Sequence, residues 1–130
     1  MTSVKKILLI DDSAATNNFH NRILTRLNFA EEIIITTNGR EGLDYLNQTT
    51  YLPEIIFLDL NMPILDGFEF LSMLDETFEV KNVEKPMVVI LSSSEESIDQ
   101  ERCSTLYTPL IFGTKPLTIV QLSKIQERMS

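Results

Sequence analysis

Ile55-Ile56-Phe57-Leu58-Asp59-Leu60-Asn61-Met62-Pro63-Ile64-Leu65-Asp66-Gly67 is the stretch that decides the fold of this chain. Four apolar residues lead into one carboxylate, and a polar, proline-containing loop turns at Asp66-Gly67. A short continuous apolar run between turn signals is the pattern of a strand buried on both faces, as in a parallel sheet. Asp59 then stands at the strand's carboxyl end, the edge at which open α/β sheets bind their ligands.

Outward from that strand, apolar and helical segments alternate. Lys6 to Ile10 predicts a first strand ending in Asp11-Asp12, and Ser13 or Asp12 caps a helix from about Ala14 to Leu27, with Phe19, Ile23, Leu24 and Leu27 as its apolar positions. Glu32 to Thr36 is a β-branched strand, and a short helix follows Asn38-Gly39 to about Leu46, with Leu43 and Leu46 inward. Beyond the Asp59 strand, a helix is expected from Gly67 to about Asp75, then a polar connection from Phe78 to Pro86. Met87 to Leu91 is the fourth strand. Ser93 and Glu96 have capping-box spacing for a weak helix from about Glu95 to Thr105. Leu110 to Thr114 is the last strand, Lys115-Pro116 turns the chain, and Thr118 with Gln121 opens a final helix to about Arg128. Strict alternation implies a parallel sheet with right-handed crossovers and helices on both faces, a doubly wound α/β sandwich.

The composition sets limits on partners. The 130 residues suffice for one domain and are too few for two. Hydrophobic content of 43% and charged content of 23% are ordinary for a globular protein. No apolar run approaches the ~18 residues of a membrane span. Met1 to Lys6 carries no secretory signal, and the single Cys103 can form no internal disulfide; both fit a cytoplasmic location. The net charge of −8 disfavours direct binding to nucleic acid or anionic membrane.

Five groups fall at the strand carboxyl ends: Asp11 and Asp12 after the first strand, Asp59 after the third, Ser92 after the fourth and Lys115 after the fifth. Three carboxylates this close need more countercharge than one lysine supplies. A hard divalent cation, Mg²⁺ or Mn²⁺, meets that need with Asp11, Asp12, Asp59 and the backbone carbonyl of Asn61 as ligands. The set permits phosphoryl transfer to a carboxylate. Asp59 attacks phosphorus, the metal and Lys115 neutralise the transferring oxygens, and Ser92 donates a hydrogen bond to the product.

With these residues in place, the sequence resembles a receiver domain of the two-component response-regulator family, of the chemotaxis-regulator-like, stand-alone kind. The match rests on Asp11-Asp12, on Asp59-Leu60-Asn61-Met62-Pro63 with Asp66-Gly67, on Ser92 and on Lys115-Pro116, and covers nearly the whole chain. The resemblance implies a five-stranded flavodoxin-like three-layer sandwich of order 2-1-3-4-5, as one domain over 1–130 with its core at about 5–128. It implies phosphorylation of Asp59 by a histidine kinase or histidine phosphotransferase, a cis Lys115-Pro116 bond, and a switch in which Ser92 draws inward and Phe112 follows. A downstream protein then reads the changed surface. Because the chain ends soon after its last helix, no output domain is expected, and a monomer or weak dimer is. Four departures from the family pattern bear on the output surface: serine at 92 where threonine is commoner, Phe112 in place of the usual tyrosine, Tyr107-Thr108-Pro109 before the last strand, and a short, polar fourth helix.

Competing functions fit less well. A flavodoxin-like protein needs a Ser/Thr-rich phosphate loop after the first strand, where Asp11-Asp12 would repel the phosphate. A dinucleotide enzyme needs a glycine-rich turn, whereas the glycines stand only at 39, 42, 67 and 113. A haloacid-dehalogenase phosphatase wants alternating acids after the first strand; here they are adjacent. The chain is thus expected to be no enzyme beyond chemistry on itself, and a phosphorylation-independent interaction module is the alternative. His20 is expected at the surface or boundary of its helix, Asn17 and Asn18 as solvated polar residues or a kinase-facing pair, and Cys103 as an incidental helix residue.

Overall fold

In the computed structural model, residues 4–60, 67–93 and 99–129 are described. Five strands form one parallel sheet: β1 (Val4–Ile10), β2 (Ala30–Thr36), β3 (Ile55–Asp59), β4 (Met87–Ser92) and β5 (Leu110–Thr114), in the order β2-β1-β3-β4-β5. Between and after them run α1 (Ala14–Arg26), α2 (Gly39–Gln48), α3 (Gly67–Lys81), α4 (Gln100–Leu106) and α5 (Ile119–Met129). This is the doubly wound flavodoxin-like sandwich with the expected strand order.

The apolar run of β3 does what its composition demands. Every residue from Ile55 to Asp59 is buried. Alternate side chains serve opposite faces. Ile56 and Leu58 join Leu8, Ile10, Val88 and Ile90 in a core that meets α2, α3 and α4. Ile55 and Phe57 join Ile7, Leu9, Val89 and Leu91 in a second core that meets α1 and α5. Register completes the frame: Ile10 pairs with Leu58, Asp59 with Leu91, and Ser92 with Thr114, so the strands end level with one another.

Helix ends depart from the expectations in instructive ways. Ser13 is the N-cap of α1, its Oγ accepting the Thr16 N–H at 3.1 Å. The buried face of α1 is Asn17, His20 and Leu24, while Phe19 and Leu27 lie exposed. Asn17 sits inward because the first turn of α1 lies against backbone carbonyls that need a donor, and His20 because the backbone N–H of Leu117 needs an acceptor. α3 runs on to Lys81, six residues past the expected end at Asp75. Phe78 is buried in the same core as Phe70, Leu71 and Leu74, at the next helical position. Asn82, at φ 53°, ends it in the left-handed region, with the N–H groups of Asn82 and Val83 returning to Glu79 and Phe78 carbonyls. α4 is capped by Asp99, whose carboxylate accepts the Arg102 N–H at 3.0 Å, and starts at Gln100. The expected helix start near Glu95 and the Glu96 half of the capping box lie outside the described residues. At α5, Thr118 accepts the Gln121 N–H at 3.2 Å as a capping box requires, but the Gln121 side chain turns to Thr114 instead.

Gly67 deserves its place at the start of α3. A Cβ there would lie 2.8 Å from the Cα of Leu60, so only glycine lets the helix close on the residue after Asp59. No described helix is long and apolar enough to cross a membrane.

Candidate acidic site at the sheet's carboxyl edge

Asp11 follows β1 and is buried; Asp12 beside it is exposed; Asp59 closes β3 at 4% exposure. One ligand oxygen from each of the three lies within 4.8 Å of the others. Asp11 is fixed on both sides: Oδ1 accepts the Ser13 N–H at 2.9 Å, and Oδ2 meets Lys115 Nζ at 2.9 Å. The same ammonium reaches Asp59 Oδ2 at 3.2 Å. Burial works against the Lys115 charge, but the hydrogen bond and field of Asp11, followed by those of Asp59, outweigh it and hold the ammonium above its ordinary pKa. Lys115 is carried by the turn after β5, where its N–H donates to the Ser92 carbonyl at 2.7 Å and the Lys115-Pro116 bond is cis. A second cis bond, Thr108-Pro109, precedes β5.

Asp11, Asp12, Asp59, Ser92 and Lys115 are therefore neighbours at one edge. Ser92 is buried as the last residue of β4, one step beyond the Leu91 that pairs with Asp59. Asn61 lies outside the described residues, as do Met62, Pro63 and Asp66. Phe112 pairs with Ile90, is half-buried, and packs against the core shared by α3 and α4.

The donor set suits a hard divalent ion. Three carboxylates against the one ammonium of Lys115 leave a surplus of negative charge, and all-oxygen ligands at this spacing are what Mg²⁺ takes.

Two residues matter here that the sequence placed elsewhere. Asn17 is buried, and its Nδ2 donates to the carbonyls of Asp11, at 2.9 Å, and Thr36, at 3.2 Å. It ties the acidic pair to α1, and only Asn18 remains exposed. His20 is 2% exposed, and its Nε2 accepts the Leu117 N–H at 3.3 Å. Spacing held the signal: positions 17, 20 and 24 share one helix face, but polar identities at 17 and 20 argued against burial. Cys103 is also buried, in the core of α3 and α4.

Burial lowers the His20 pKa below its ordinary value; the Asp11 charge raises it in part, and Lys115 lowers it again. In the folded state the imidazole resists protonation, so the unfolded chain binds the proton first. Stability is then full above a pH of about 6.5 and falls as pH drops toward the lowered folded value. The urea midpoint is expected to decline as pH falls below about 6.5, above the ordinary carboxylate range. His20→Gln should flatten that decline.

The family model for the response regulator receiver domain matches residues 7–124. The chain is 27% identical to two-component response regulator 24 of Arabidopsis thaliana, across 95% of this chain and 82% of that one. It is also 27% identical to a protein-glutamate methylesterase/protein-glutamine glutaminase of Methanococcoides burtonii, across 95% of this chain but only 33% of that protein, so it spans a third of that relative's length. Among solved structures, a two-component response regulator from Cytophaga hutchinsonii superposes with a TM-score of 0.85 at 28% identity, covering 98% of this chain and 97% of that one. With the sheet order and the acidic edge already in hand, the match over residues 7–124 settles the family: the chain belongs to the response regulator receiver domains.

Proposed function

We propose that Asp59 is a phosphoacceptor, charged in the presence of Mg²⁺ by a phosphohistidine of a sensor histidine kinase or histidine phosphotransferase. The observation that carries the reading is the placement of Lys115 Nζ between Asp11 Oδ2 and Asp59 Oδ2, at 2.9 and 3.2 Å, beside a three-carboxylate cluster. An Asp59 carboxylate oxygen attacks phosphorus. The bond from phosphorus to the donor's imidazole nitrogen breaks, and that nitrogen keeps the electron pair. Asp11, Asp12, Asp59 and the Asn61 carbonyl would hold a divalent cation, which when bound would supply neutralising charge to the phosphoryl oxygens. Lys115, already beside Asp59, is the chain's own cation within reach of a phosphoryl oxygen. The Ser92 hydroxyl donates to the product phosphoryl group, and Phe112 responds from the neighbouring strand. The chain catalyses this transfer on itself and acts on no separate substrate; its output is a protein-binding surface near Phe112.

The test is incubation with Mg²⁺ and acetyl phosphate, then intact mass and peptide mapping. One phosphoryl group on Asp59 is expected, and chelation with EDTA should abolish its formation. Asp59 left unmodified by both acetyl phosphate and a phosphorylated histidine phosphotransferase would sink the reading and favour a phosphorylation-independent interaction module.

A further inference from the structure

We propose that His20 is a positioning residue for Lys115: by accepting the Leu117 N–H, it fixes the turn that sets the ammonium between Asp11 and Asp59. The turn from Thr114 to Leu117 is pinned at several points. The Lys115 N–H donates to the Ser92 carbonyl at 2.7 Å. Gln121 from α5 accepts the Thr114 N–H at 3.0 Å and donates to the Thr114 and Pro116 carbonyls at 3.1 and 3.3 Å. His20 adds the bond that comes from α1, spanning 97 residues of sequence to a Leu117 that is itself buried in the same core as Leu24.

That origin is what gives the contact its consequence. One helical turn earlier, Asn17 holds the carbonyl of Asp11. A single rigid helix thus grips both partners of the Asp11–Lys115 ion pair, Asp11 through Asn17 and Lys115 through His20 and Leu117. His20 is the chain's only histidine. A leucine there could fill the space, but the buried Leu117 N–H would lose its acceptor, and the turn would shift to find another. A glutamine keeps an acceptor oxygen. The bond to Leu117 also requires Nε2 unprotonated, hence a neutral ring protonated at Nδ1.

The placement of Lys115 stands apart from the acceptor role of Asp59; only its kinetic effect rests on the function proposed above. In the unmodified protein, imidazole ¹⁵N shifts should report the tautomer protonated at Nδ1, and the Nε2–H tautomer would overturn the proposal. Lys115 should give a slowly exchanging ammonium signal near neutral pH, identified by its absence in Lys115→Arg. That signal should persist in His20→Gln and disappear in His20→Leu. With Mg²⁺ and acetyl phosphate, His20→Leu should load Asp59 about tenfold more slowly at an unchanged KM for the donor, and His20→Gln within about threefold of the natural rate. A folded His20→Leu with the Lys115 signal intact and the natural loading rate refutes the positioning role. If the ammonium signals behave as expected while no variant is phosphorylated, the acceptor role of Asp59 fails and the positioning role stands.

Discussion

Asp59→Asn is expected to abolish phosphoryl incorporation from both a small acyl phosphate and a histidine phosphotransferase, leaving no adduct by intact mass. The amide is nearly isosteric but is not a nucleophile toward phosphorus, so the loss is total rather than graded. The same change has a second effect of opposite sign. Asp59 is buried, with its carboxylate oxygen crowded against those of Asp11 and Asp12. Removing one of three negative charges relieves repulsion, while an amide oxygen still accepts from Lys115. The metal-free variant should therefore unfold at an equal or higher urea concentration than the natural chain. Mg²⁺ should reverse the ranking. A ligand at a hundredfold excess over Kd stabilises the folded state by about 2.7 kcal/mol, and the variant should lose most of that gain. Urea titrations with and without Mg²⁺ measure both effects. A variant destabilised without metal would show that Asp59 serves the fold rather than the site.

The site was legible because its residues are rare where they stand. A carboxylate closing a fully apolar run, two more at the end of another, and a lysine before proline after a third each break a local pattern. Parallel topology brings such breaks to one edge, so reading strand ends was enough to gather Asp11, Asp12, Asp59, Ser92 and Lys115. Its support was not legible. Asn17 and His20 look like solvated helix residues, since their partners are backbone groups of Asp11, Thr36 and Leu117 that no side-chain pattern announces. Lys6 is a similar case at the other end of the sheet. It is the third residue of β1 and is buried despite its charge, with Nζ donating to Tyr45 Oη at 2.7 Å and the Tyr51 carbonyl at 2.6 Å. Hydrophobic periodicity finds apolar cores. It is blind to polar groups whose burial is decided by a backbone acceptor arriving from elsewhere in the chain.

The length of α3 was missed for a different reason, and Phe78→Ala tests it. Glu76-Thr77 and Glu79 surround Phe78 with polar residues, so the local sequence resembles a connection. The helix continues because Phe78 falls one turn beyond Leu74 and enters the core with Tyr107 and Cys103. Lys85 reinforces the last turns, with Nζ 2.7 Å from the half-buried Asp75 and 2.6 Å from the exposed Glu79, but pairs this open to solvent contribute little. Burial of the ring therefore carries the extension. Truncating it should cost about 3–5 kcal/mol, a large part of the ~5–15 kcal/mol that holds a domain together. The urea midpoint should fall by about 1 M or more. Val80→Ala, two residues on and 81% exposed, should stay within about 0.5 kcal/mol of the natural chain. Phe78 lies near the end of α3 that points away from the acidic edge, since each helix of this fold runs back from the carboxyl ends of the strands. Below its unfolding transition, Phe78→Ala should then load Asp59 at the natural rate. A folded variant with slowed loading would mean that the core beneath α3, and not only the edge residues, sets the geometry of the acceptor.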